Sequence, residues 1–131
     1  MNAEAWSLLS CVLILAASIT AQALRLDREA GLKYGLSSRE DLPTLSPLYG
    51  RLTRNVANQV EGMALFAPMV LIAMTTDRTN VGTAAAAVAY AFFRAVYACA
   101  YAADVTPWRS VYWLAGMVSL VVFVLSFLLA Y

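Results

Sequence analysis

The sequence predicts an all-α fold, an integral membrane four-helix bundle, and three observations predict it. Of 131 residues, 62% are hydrophobic and only 13% charged, and the mean hydropathy is +0.68, outside the range of soluble globular chains. Four apolar runs, each about twenty residues and long enough to cross a hydrocarbon core, alternate with polar connections. Six of the nine basic residues (Arg25, Arg28, Lys33, Arg39, Arg51 and Arg54) crowd into the first connection, which the positive-inside rule places in the cytoplasm. One domain over residues 1–131 follows, with helices over about 5–25, 55–76, 81–103 and 109–130 and a cytoplasmic loop over 26–54. An even number of crossings puts both termini outside.

Composition also excludes chemistries. A net charge of +1 with no basic block gives no footprint for nucleic acid. Histidine is absent, which removes Ser-His and Cys-His nucleophile pairs, a histidine proton shuttle and histidine-ligated metals. Cys11 and Cys99 both fall inside apolar runs and read as small packing residues, so no metal site is expected.

The first run, Ala5 to Leu24, carries no charge and lacks the basic flank of a signal peptide, so it reads as a mature helix. Ser7, Cys11, Ser18, Gln22 and Arg25 form a narrow stripe suited to close packing, with Arg25 at its cytoplasmic end either an anchor or a contact for an anionic ligand. From Asp27 to Gly50, glycines, prolines and serines break any periodicity and predict a loop over the cytoplasmic mouth. The second run is preceded by polar residues that continue into it. Arg51, Arg54, Asn58, Glu61 and Leu65 share roughly an 80° sector of a helix. A carboxylate and an amide inside a membrane helix must face protein or a water-filled cavity. Pro68 inside this run predicts a local loosening, and Asp77 and Arg78 read as solvated charges of the outer turn.

The third run is rich in alanine, which permits close helix contact. Tyr90, Arg94, Tyr97 and Tyr101 fall within about a 60° sector and read as the wall of a polar cleft. An unpaired arginine at the depth of Arg94 would cost about 2.5–3.5 kcal/mol. Glu61 is the acid at comparable depth, so the two are expected to pair. Pro107 then precedes the start of the fourth helix, Trp108 suits the interface, and Gly116 and Ser119 offer close contact in an otherwise apolar run to Tyr131. Arg25, Arg28, Arg51, Arg54, Asn58, Glu61, Arg94, Tyr97, Tyr101, Arg109 and Ser110 therefore converge at one end. Such a set suits a small, flexible, mostly anionic ligand that also carries an ammonium group, and arginine beside a thiol would favour its thiolate.

Three motifs, R-x-x-x-N-x-x-E (Arg54, Asn58, Glu61) followed by Phe66 and Pro68, R-x-x-Y-x-x-x-Y (Arg94, Tyr97, Tyr101), and Arg109-Ser110, occur in this order. Together they resemble the MAPEG family, membrane-associated proteins in eicosanoid and glutathione metabolism. The resemblance covers nearly the whole chain and is nearest to minimal, bacterial-type members. It implies a four-helix subunit in a homotrimer of a bacterial inner membrane, with glutathione as co-substrate, lipophilic electrophiles arriving from the lipid, and no metal. Arg25, Arg54, Asn58, Glu61 and Arg94 would hold glutathione, Tyr97 and Tyr101 would reach it from a neighbouring subunit, and catalytic Arg109 would stabilise the thiolate. Gly62 stands where some members carry an aromatic contact, and Ala57 where some carry a further arginine. The function implied is a membrane-bound glutathione-dependent transferase or peroxidase. A non-catalytic membrane protein of the same fold is an alternative, and a small transporter coupling Glu61 to protons is another.

Overall fold

The computed structural model describes residues 1–130. Helix α1 spans Ala3–Ala30, a single turn α2 spans Leu32–Gly35, and α3 (Pro47–Thr75), α4 (Val81–Ala102) and α5 (Trp108–Leu128) follow. The four long helices, of 28, 29, 22 and 21 residues, are each apolar and long enough to cross a membrane. They run alternately up and down, so α1, α3, α4 and α5 present their α1–α3 and α4–α5 connections at one end, the loop end.

Local signals explain each boundary. The Asn2 side chain accepts from the Ala5 amide and starts α1. Asn80 accepts from the amides of Gly82 and Thr83, and the Thr83 hydroxyl accepts from the Asn80 amide, a capping box that starts α4. Ser46 caps α3, accepting from the Tyr49 amide at 3.3 Å, and Pro47 occupies the first turn, where its missing N–H costs nothing. That start lies eight residues ahead of the apolar run read from sequence, and α1 likewise runs on to Ala30. The loop expected over 26–54 is thus a connection over 31–46 that contains α2. Its far end is tied down: the Glu29 carboxylate accepts from Arg25 Nε at 2.6 Å, from the Ser46 amide at 2.6 Å and from the Ser46 hydroxyl at 2.7 Å. One acid therefore joins the end of α1 to the cap of α3. Helix α3 continues unbroken through Pro68.

The core lies toward the end opposite the loop. Cys11 of α1, Phe66, Val70 and Ala73 of α3, Ala86, Ala87, Tyr90 and Ala91 of α4, and Phe123 of α5 are buried together. The Phe66 and Tyr90 rings stack at 4.3 Å, and Phe123 meets Phe66 edge-on at 6.2 Å. Both cysteines are free thiols, Cys11 inside this core and Cys99 on the outer surface of α4. Helices α4 and α5 pack most extensively and α1 lies on both α3 and α4, whereas α3 and α5 barely touch. Ser7, Cys11 and Ser18 are buried as the expected packing seam of α1.

Glu4, one residue ahead of the first apolar run, is enclosed rather than solvated. It is 2% exposed and accepts from the Thr83 hydroxyl at 2.6 Å, in the first turns of both α1 and α4. A carboxylate there meets the positive ends of two helix dipoles, which is why an acid can be enclosed with no cationic side chain paired to it among the described residues.

Candidate functional site

At the loop end, the gap between α3 and α5 opens a cavity of about 210 Å³ lined by Asn58, Tyr97, Tyr101, Arg109, Ser110 and Trp113. Tyr101 organises its mouth. Its hydroxyl accepts from Arg54 Nε at 3.0 Å, and its ring lies under the Arg109 guanidinium at 4.6 Å. Tyr97 packs edge-on against Tyr101 at 5.5 Å and lies under the Arg94 guanidinium at 4.9 Å. Arg54 and Arg109 thus meet Tyr101 within one chain. Tyr97 and Tyr101 sit on the face of α4 that looks into the α3–α5 gap.

Arg109 stands in the first turn of α5, half-buried. The amides of Arg109 and Ser110 donate to the carbonyls of Val105 and Pro107 at 3.2 and 3.0 Å. These two first-turn N–H groups are therefore already used. The guanidinium, not the helix terminus, is the donor set facing the cavity.

The expected Arg94–Glu61 pair does not form. Arg94 is 2% exposed and donates from Nε to Gln59 Oε1 at 3.1 Å and from Nη2 to the Asn58 carbonyl and side-chain oxygens at 2.9 and 2.8 Å. Amide and backbone oxygens, in place of an acid, take Nε and Nη2 of the buried cation. Glu61 lies exposed, next to exposed Arg54 and Leu65. Two positions depart from the sector argument in the same way. Tyr90 belongs to the core rather than the cleft, and Arg51 leaves the stripe to cap α4, donating to the Ala102 carbonyl at 3.4 Å and lying 4.0 Å from Asp104. Arg25 is occupied by Glu29 and stands apart from the cavity.

Gly62 has a structural role in this arrangement. A Cβ there would meet the Tyr90 hydroxyl at 2.6 Å and Arg94 Cζ at 3.3 Å, so the bare backbone makes room for both side chains. The Tyr90 hydroxyl beside this position, and Arg94 Nη1, are buried without hydrogen-bond partners among the described residues.

Gln59, Asn55 and Trp113 were missed by the sequence reading. A signal existed for two of them: Asn55, Gln59, Gly62 and Phe66 recur within roughly a 60° sector of α3, a second polar face adjoining the arginine stripe. Trp113 carries no such mark in an apolar run.

Four membrane-length helices, with this cavity between α3, α4 and α5 at one end, define a multi-pass integral membrane protein. The MAPEG family model matches residues 3–129. The chain belongs to the MAPEG family, which includes glutathione-dependent transferases and peroxidases as well as non-catalytic members. No curated protein and no solved structure gives a significant match.

Proposed function

We propose that this protein is a glutathione-dependent transferase or peroxidase for lipophilic electrophiles, working at the cytoplasmic face of a bacterial inner membrane. The observation that carries this reading is the convergence of Arg54 and Arg109 on Tyr101 at the cavity mouth, 3.0 Å from the hydroxyl and 4.6 Å from the ring. Two fixed guanidinium groups beside donor amides suit an anionic peptide that brings its own nucleophile. Arg54 would take a carboxylate, Asn58 the peptide, and Glu61 the ammonium group. Arg109 would stand beside the sulfur, lowering the thiol pKa from its usual value near 8.5 so that thiolate predominates near neutrality. In conjugation the thiol proton leaves to solvent, the thiolate forms a carbon–sulfur bond, and the electrophile's leaving group departs.

The same reading includes a homotrimer. A cavity of about 210 Å³ is smaller than the roughly 300–1,000 Å³ of ordinary small-molecule sites. Glu61, midway along α3, is exposed in the single chain, and such a group facing lipid would cost a few kcal/mol. A second copy against this face would enlarge the site and cover Glu61.

The test is calorimetric titration of glutathione into the detergent-solubilised protein, with conjugation of a chromogenic electrophile measured alongside. Binding with turnover that is lost in Arg109→Ala is the expected result. Binding without conjugation or peroxide reduction makes the chain a non-catalytic member; no binding ends the reading. That Glu61 has no ion pair among the described residues favours proton-coupled transport as a second reading. Proton-dependent efflux from vesicles, lost in Glu61→Gln, would establish it.

A further inference from the structure

Arg94 is the largest side chain fully enclosed in the bundle, yet it lines no part of the cavity. Its effect on the ligand must pass through what it touches. A guanidinium has donors only, so any amide atom facing it must be oxygen. The Asn58 side chain meets Arg94 Nη2 at 2.8 Å, which turns Oδ1 inward and leaves Nδ2 to the cavity that Asn58 lines. No hydrogen bond within the described residues takes that Nδ2.

The same constraint runs the other way through the helices. Gln59 gives its oxygen to Arg94 Nε, so its nitrogen donates, to the Arg94 carbonyl at 3.3 Å and to Asn55 Oδ1 at 3.4 Å. Asn55 Nδ2 then donates to Ser18 Oγ at 3.1 Å, and Ser18 donates to the Ile14 carbonyl at 2.8 Å. One cation thereby sets the donor direction of every group from α4 across α3 to α1. Reversing Asn58 would place an NH₂ against a guanidinium in a buried site, losing the bond and adding repulsion.

We infer that Arg94 is a positioning residue rather than a ligand contact: it locks Asn58 with its oxygen inward, so that this point of the cavity offers only donors and selects an acceptor, a carboxylate or peptide carbonyl, on the ligand. The inference rests on the proposed glutathione site for the identity of that ligand. Its geometric half stands without it.

Asn58→Asp separates the two halves. The carboxylate would face Arg94, whose Nη1 also lacks a partner, so the detergent-solubilised protein should melt at or above the wild-type temperature. The cavity, however, would now meet a second acceptor in place of the NH₂, and glutathione should bind about tenfold or more weakly by calorimetry. Arg94→Gln should also weaken binding, but add nothing in the Asn58→Ala background, because its influence passes through that amide. Melting of Asn58→Asp clearly below wild type, or undiminished binding by it, overturns the inference, as does a loss from Arg94→Gln that adds fully in the Asn58→Ala background. If Arg94→Gln fails to fold, the Asn58→Asp measurements decide alone. If the wild type does not bind glutathione, the functional reading falls separately, and the melting of Asn58→Asp judges the locked amide.

Discussion

Tyr101 joins two arginines through different atoms, and two substitutions should pull those roles apart. Tyr101→Phe removes the hydroxyl that accepts from Arg54 at 3.0 Å but keeps the ring under Arg109 at 4.6 Å. A hydrogen bond to a charged group contributes about 1.5–3 kcal/mol when sheltered. Arg54 is exposed in the single chain, so about 1 kcal/mol is the fitting figure after solvent screening. That corresponds to roughly fivefold in the KM for glutathione, since about 1.4 kcal/mol is tenfold. The pH profile of kcat should not move, because Arg109 keeps its support. Tyr101→Leu removes the ring as well, worth about 0.5–2 kcal/mol as a cation–π contact, and would let the Arg109 guanidinium leave the position proposed for it beside the sulfur. The thiolate pKa in the complex should then rise, and the profile should shift toward alkaline pH. Steady-state kinetics across pH with both variants checks this. A shifted profile in Tyr101→Phe, or an unshifted one in Tyr101→Leu, refutes the division of labour.

Gly62→Ala should lower the melting temperature, because its Cβ meets the Tyr90 hydroxyl at 2.6 Å and such overpacking costs about 1–3 kcal/mol. Gly116→Ala, whose Cβ would find its nearest neighbours at 3.9 Å, should melt within error of wild type. Ser46→Ala removes the α3 cap and a Glu29 partner. It should cost about 1 kcal/mol and speed limited proteolysis within residues 31–46. Thr83→Val strips the Glu4 carboxylate of its hydroxyl donor and should destabilise the fold by about 1–3 kcal/mol, whereas Thr83→Ser should melt near wild type.

The four crossings and their order were legible because hydrocarbon thickness dictates run length, and the motif residues because their helical spacing puts them at one end. What escaped notice had definite physical causes. The start of α3 at Pro47 was hidden because hydropathy marks what lies in lipid, not what is helical, although Ser46-Pro47 is itself a start signal. Charge alone points from Arg94 to an acid, while neutral amide oxygens, those of Asn58 and Gln59, can take a buried guanidinium's N–H groups as well. Burial of Glu4 could not be read from its place near the chain start, because its hydroxyl partner lies on α4, far along the sequence.

The sparse contact between α3 and α5 has a consequence for traffic. Where two helices of a bundle diverge, the seam between them opens sideways, and here exposed Trp113 and Ser110 stand at its edge. A greasy molecule dissolved among lipid tails would reach such a seam by diffusing in two dimensions, with no door to open. The concentration that matters to this protein would then be that within the bilayer, so partition coefficient rather than aqueous solubility would rank the molecules it meets.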